Sequence, residues 1–128
     1  MNVRKDLRSR LLLTLLVGTL VSMSGCAGGN RPLQLLSGAG PIYPADARAK
    51  GIEGYVVVQY DVSVEGLVTN AVVVEAEPVN VFDRAALDAV KSWRFNAPRL
   101  NGAAQPALNR RSTVTFALGD TGKYDGYE

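Results

Sequence analysis

Residues 82–93 read FDRAALDAVKSW and set Phe82, Ala85, Ala86, Ala89, Val90 and Trp93 at i, i+3, i+4, i+7, i+8 and i+11. That spacing draws one apolar stripe along a helix, with the charged Asp83, Arg84, Asp88 and Lys91 mainly off it. A helix of this kind is stable only against another apolar surface, so Trp93 reads as the anchor that packs on a sheet. Pro78 closes whatever comes before. Asn80 then caps the helix, with Asp83 completing a weaker capping box.

Upstream, Tyr55–Val64 (YVVVQYDVSV) alternates, with Val56, Val58, Tyr60, Val62 and Val64 on one face and Gln59, Asp61 and Ser63 on the other. Glu65-Gly66 supplies a tight turn. Val68–Glu77 resumes the alternation, with Val68, Val72, Val74 and Ala76 inward, so the two segments form an antiparallel hairpin. Val57 and Val73 fall on the polar face and mark a covered patch. Further upstream, Pro44 suits the first turn of a short helix, Ala45–Lys50 continue it, and Gly51 provides the left-handed residue that ends it.

Downstream, a loop holds Pro98, Asn101-Gly102 and Pro106. Arg111–Leu118 then alternates again, with Val114, Phe116 and Leu118 opposite Thr113, Thr115 and Ala117. The order helix, strand, strand, helix, strand predicts an α+β fold. It is a two-layer sandwich: a three-stranded antiparallel sheet in order 2-1-3 with two helices on one face. Its predicted core includes Tyr60, Phe82, Ala86, Val90, Trp93 and Phe116. Strand three is then an open edge, along which Arg110, Arg111, Thr113, Thr115 and Ala117 are the candidate protein-binding residues.

The ends of the chain differ in character from this domain, assigned to residues 41–118. Arg4, Lys5, Arg8 and Arg10 precede the apolar run Leu11–Val21, and small residues lead to Ser24-Gly25-Cys26. Such a pattern is an export signal. Leu11–Gly25 is 15 residues, short of the ~20 that span a bilayer. Residues 1–25 are therefore expected to be a cleaved signal peptide. Residues 26–40 follow as a tether without regular structure, since Ala27–Gly40 (AGGNRPLQLLSGAG) has four glycines and no clear period. Pulled straight, its 14 residues reach at most ~50 Å. Residues 119–128 (GDTGKYDGYE) read as a flexible tail.

Composition excludes several classes of function. The 128 residues include no His and one Cys. That removes nucleophile arrangements relying on His, internal disulfides and Cys-rich zinc clusters. No cofactor or metal is implied. Asp46, Asp61, Asp83 and Asp88 are the candidate acids of an enzyme, and solvated strand and helix faces explain them better. The net charge of +2 becomes −1 once cleavage before Cys26 removes four basic residues and Asp6, so nothing argues for nucleic acid.

Two resemblances follow from these residues. Met23-Ser24-Gly25-Cys26 resembles the lipobox of bacterial lipoproteins, which implies lipidation of Cys26 and attachment to a membrane; Ala27 in place of Asp favours the outer over the inner one. Pro41-x-Tyr43-Pro44, Gly51-Ile52-Glu53-Gly54-x-Val56-x-Val58, Gly66-x-Val68, Phe82-Asp83-x-Ala85-Ala86-Leu87-x-Ala89-Val90-x-x-Trp93-Arg94-Phe95, Asn101-Gly102 and Val114-x-Phe116 resemble the TonB C-terminal domain family. One departure is that Pro98 stands three residues after Phe95 where the family usually has two.

The family resemblance implies a periplasmic module that takes up a short segment of an outer-membrane transporter, or another envelope protein, as an added strand at its sheet edge. Arg110 and Arg111 would steer an acidic partner or guard the edge against aggregation. Full transducers of the family also carry a His-bearing inner-membrane helix and a long Pro-rich segment, features this sequence does not show. The leading expectation is therefore a membrane-tethered lipoprotein of the Gram-negative envelope that binds a partner in TonB-dependent transport. The alternatives are a short energy transducer held in the inner membrane and a structural lipoprotein. The structural reading carries a self-paired edge, in which strand exchange through strand three gives a homodimer.

Overall fold

A computed structural model describes the chain from Gly29 to Gly119. The signal segment, Cys26 and the tail beyond Gly119 lie outside the described residues. Strand β1 is Gln34–Ser37, helix α1 Ala45–Ala49, β2 Gly54–Val62, β3 Val68–Glu77 and helix α2 Asp83–Ser92. Three short strands follow, β4 Arg94–Asn96, β5 Arg99–Leu100 and β6 Ala103–Ala104, before β7 at Ala107–Phe116. The main sheet has the order β3-β2-β7 with antiparallel pairing throughout, which is the predicted α+β arrangement.

The core forms where the alternation of β2 meets the stripe of α2. Val56, Val58, Tyr60 and Val62 are buried, as are Phe82, Ala86, Ala89, Val90 and Trp93, and Val114 and Phe116 of β7 complete the layer. Its aromatic rings fall into two groups. Phe82 stacks on Phe116 at 4.2 Å with Tyr43 edge-on to both. Tyr60 meets Trp93 edge-on at 6.0 Å and stacks on Phe95 at 5.9 Å. These edge-on and stacked arrangements suit the ring quadrupole. The phenol of Tyr60 pairs with the hydroxyl of Ser112 at 2.9 Å, joining the one buried polar residue of the described core to the sheet.

Several local expectations are corrected. β2 ends at Val62, so Val64 is exposed and the hairpin connection runs from Ser63 to Leu67. Gly66, at φ +83, occupies the left-handed position at the end of that connection. A Cβ there would also stand 1.8 Å from the carbonyl oxygen of Phe95. In β3, Val72 and Val74 are exposed, whereas Ala71 and Val73 pack on the core. The cause is two shifts of register, between Val57 and Val58 and between Gln59 and Asp61, each of which reverses the side-chain alternation.

The N-cap position of helix α2 is Phe82, not Asn80, and no side chain bonds the free amides there. Asn80 is left-handed, at φ 63, in the turn before the helix, a conformation that Asn tolerates better than most residues. β7 starts at Ala107, four residues before the predicted strand, and stops at Phe116, leaving Leu118 exposed. The loop after β4 is itself a small hairpin. Asn101 and Gly102 sit at its turn with φ 51 and 82, both positive as a type I′ turn requires.

The largest correction concerns the tether. Gln34–Ser37 is a strand paired antiparallel with β4, matching Gln34 to Asn96, Leu35 to Phe95 and Ser37 to Arg94. Arg31 and Arg99 exchange backbone hydrogen bonds of 3.0 and 2.8 Å, and the amide of Ala39 donates to Ser92 Oγ at 3.0 Å. Leu33 and Leu35 pack against the core. A stretch without helical period thus serves as a strap, because it satisfies the backbone of β4 and covers its side chains.

Candidate peptide-binding edge

β7 owes its place to the match of its alternation with that of β2. Val114, Ser112 and Arg110 face Val56, Val58 and Tyr60 on the core side, whereas Thr115, Thr113 and Arg111 pair with Tyr55, Val57 and Gln59 on the outer side. The ladder from Gly54–Phe116 to Tyr60–Arg110 is unbroken, and its single shift of register lies beyond, between Tyr60 and Val62. β7 therefore presents a straight run of main chain on the side away from β2. The other edge, β3, is interrupted twice. Bulges of that kind blunt an edge against added strands, which leaves β7 as the edge suited to pairing.

The predicted edge residues divide in the structure. Thr113, Thr115 and Ala117 line one shallow depression of about 520 Å³, together with Glu53, Gly54, Tyr55 and Phe116. Arg110 and Arg111 lie at the opposite end of β7 and on opposite faces. Arg111 is exposed and its Nε donates to Gln59 Oε1 at 3.2 Å, whereas Arg110 is half-buried with its Nε enclosed beside the core. Of the two, Arg111 is the one placed to meet a partner.

Glu53 and Tyr55, which sequence reasoning did not single out as site residues, shape the depression. Glu53 Oε1 accepts from the amide of Leu118 at 2.5 Å and holds the chain leaving β7. Tyr55 donates to Glu75 Oε1 at 2.6 Å, a bond that raises the phenol above its ordinary pKa because ionising it would break the bond beside a carboxylate. The ring is thereby fixed as a wall of the groove. The alternation of YVVVQY marks Tyr55 as outward but says nothing of the groove, which exists only once β7 lies beside it.

The candidate acids are not assembled. Asp61 Oδ2 accepts from Asn70 Nδ2 at 2.9 Å and Oδ1 from the amide of Asn109 at 2.8 Å, and these bonds hold its carboxyl below the usual range. Both asparagines are left-handed, at φ 52 and 53, where the neighbouring strands bulge. Asp61 thus serves as a tie across three strands. Asp88 forms an exposed pair with Arg84 at 4.0 Å. Asp46 borders a hollow of about 250 Å³ between α1 and the turn before α2. Among the described residues, no group of three or more acidic, His or Cys side chains converges as a metal would need.

With this geometry in view, the chain can be set beside known proteins. The family model described as the Gram-negative bacterial TonB protein C-terminal matches residues 39–123. Protein TonB of Yersinia enterocolitica is 39% identical over 104 residues, which is 81% of this chain and 38% of that protein. Protein TonB of Xanthomonas campestris pv. campestris (strain B100) is 43% identical over 79 residues, covering 61% and 34% respectively. The chain thus spans little more than a third of the length of these curated relatives. The solution NMR structure of the Pseudomonas aeruginosa TonB CTD superposes with a TM-score of 0.55 at 31% identity, covering 69% of this chain and 88% of that one. Sequence, topology and superposition agree, and the chain belongs to the TonB C-terminal family.

Proposed function

We propose that this protein is a lipoprotein of the Gram-negative envelope that captures a short peptide segment of an outer-membrane TonB-dependent transporter along β7. The observation that carries the reading is the edge of β7 from Arg110 to Phe116, free of register shifts, beside the depression lined by Thr113, Thr115 and Ala117. A peptide laid there satisfies main-chain groups along the strand, and the groove takes one of its alternate side chains. Affinity then comes mostly from the backbone, so the partner segment needs an extended conformation more than a particular residue. Members of this family bind and transduce; they are not enzymes. Cys26 is the proposed attachment point, with several acyl chains making a stable anchor, and the outer membrane is the proposed site.

The test is titration of isotopically labelled protein with N-terminal peptides of such transporters. Amide shifts concentrated on Arg111–Ala117 are expected, and N-methylation of alternate peptide residues should abolish them. Shifts on β3 instead, or affinity unchanged by N-methylation, would refute edge capture. Concentration-dependent mass without peptide would show β7 pairing with a second copy. Palmitate labelling of wild type against Cys26→Ala tests the anchor: no label, with the N-terminal segment retained in the inner membrane, would favour a short energy transducer.

A further inference from the structure

Charge is unevenly divided along this chain. Every carboxylate of the described residues falls between Asp46 and Asp88, the stretch that builds α1, β2, β3 and α2. Outside it stand Arg31, Lys91, Arg94, Arg99, Arg110 and Arg111, with no acid among them. The fold then gathers the cationic segments, because β1 pairs with β4 and Arg31 pairs with Arg99.

The first described residues lie at this cationic end. Asn30 Oδ1 accepts from the amide of Asn101 at 3.0 Å, placing the start of the strap beside the tip of the β5–β6 hairpin. Arg31 Nη2 donates to Ala97 O at 3.2 Å and Arg99 Nη1 to Gly102 O at 2.7 Å. These partners are carbonyls, so neither guanidinium is neutralised; Arg99 is exposed and keeps further donors free, whereas Arg31 is half-buried with its Nε enclosed and adds mainly its charge. Glu65, in the β2–β3 connection, is held by hydrogen bonds from Ser63 and its own backbone. Leu100, next to Arg99, is 55% exposed.

We infer that this tip, made by Arg31, Arg99 and Leu100, rests on an anionic phospholipid surface, so that the domain is oriented on its membrane and not merely tethered to it. The inference rests on the proposed attachment through the N-terminal segment. From Cys26 to Asn30 there are four residue steps, at most ~14 Å. That distance is less than twice the Debye length of ~8 Å at physiological salt, so the tether keeps the tip within easy reach of the headgroup surface of the membrane that holds it. Guanidinium groups bind phosphate through paired N–H donors, and the exposed Leu100 adds apolar contact at the interface.

The experiment uses the full chain purified from a Gram-negative host, with the state of Cys26 read by intact mass, reconstituted in vesicles of phosphatidylglycerol or of phosphatidylcholine. An environment-sensitive fluorophore at Ala103→Cys reports on the tip, and one at Arg84→Cys, 96% exposed at the start of α2, on a distant site. The tip label should enter a dry environment on the anionic vesicles only, while the distant label stays wet on both. Arg31→Gln/Arg99→Gln should lower the docking equilibrium constant roughly 30-fold, as two basic residues near such a surface imply. Leu100→Asn leaves the strap's bonds intact and should act in the same direction. A wet tip label on phosphatidylglycerol with Cys26 acylated overturns the inference and leaves lipidation standing. A dry tip with Cys26 unmodified overturns lipidation and supports the inference; a wet tip with Cys26 unmodified overturns both.

Discussion

Gly38 lies directly against the indole of Trp93: a Cβ at Gly38 would stand 2.1 Å from Trp93 Cδ1. This contact closes the strap over the core, because Trp93 is 1% exposed and Gly38 follows the last residue of β1. Gly38→Val forces either the ring or the strap to move, and overpacking of this kind costs about 1–3 kcal/mol. Hydrogen exchange should show the amides of Leu35–Ser37 and Arg94–Asn96 losing protection together, while those of the β2–β7 ladder keep it. Unchanged protection would mean that the strap is held elsewhere.

Trp93→Ala removes the ring on which the strap, Tyr60 and Phe95 all converge. A loss of about 3–5 kcal/mol is expected, comparable to the ~5 kcal/mol that can be the whole stability of a small domain. Denaturant unfolding should find this variant with at most about 2 kcal/mol of stability left, unfolding at little or no denaturant.

The buried Tyr60–Ser112 pair predicts a non-additive result. Tyr60→Phe leaves the Ser112 hydroxyl enclosed without that partner, at a cost of about 1–3 kcal/mol. Ser112→Ala in the same chain removes the stranded group, so the double variant should recover part of the loss, read from a denaturant double-mutant cycle. Burial is the main reason that the Tyr60 phenol is raised above its usual pKa, with Ser112 and Arg110 opposing. A raised folded value gives stability that is complete below about pH 10 and is lost as pH climbs through it. Tyr60→Phe should therefore flatten the alkaline limb of the thermal melt.

Asp61 predicts the acid limb. Its hydrogen bonds from Asn70 and Asn109 depress its folded pKa, so its contribution is complete above about pH 4 and disappears as pH falls through the depressed value. Asp61→Asn should melt at lower temperature at pH 7 and show a shallower decline between pH 4 and pH 2. An acid limb identical to wild type would show that the tie does not stabilise the fold.

The two edge arginines should behave differently. Arg111→Glu, on the exposed face, is expected to slow association with acidic peptides several-fold at low salt and to leave the melting temperature almost unchanged. Arg110→Glu puts a carboxylate beside the Tyr60–Ser112 pair and should destabilise the domain before it affects binding. Stopped-flow association at two ionic strengths, with melts of both variants, separates the roles.

The elements visible in the sequence are those whose period is local. The stripe from Phe82 to Trp93 and the alternation from Val56 to Val62 each lie within a dozen residues, and both became buried faces. β3 was half legible: left-handed Asn70 and the shift beyond Val57 reverse its alternation, and a bulge is set by the partner strand as much as by its own residues. The strap was hidden because its four-residue strand pairs with three residues some 60 positions away. Gly38, which composition read as flexibility, is there for close approach.

Of the candidate site, the sequence alone determined that a third strand would end the sheet, that Thr113, Thr115 and Ala117 would share its outer face, and that Cys26 stands in a lipobox-like setting. These follow from residue types at fixed short spacing, which need no knowledge of distant chain. Only the tertiary structure decided that β7 runs without a bulge from Arg110 to Phe116 where β3 is interrupted twice, that Arg110 and Arg111 part company, and that the supposed tether is bound to β4. Edges, grooves and straps depend on which backbone groups remain unpaired after all strands have met, and that is a property of long-range pairing rather than of any one segment.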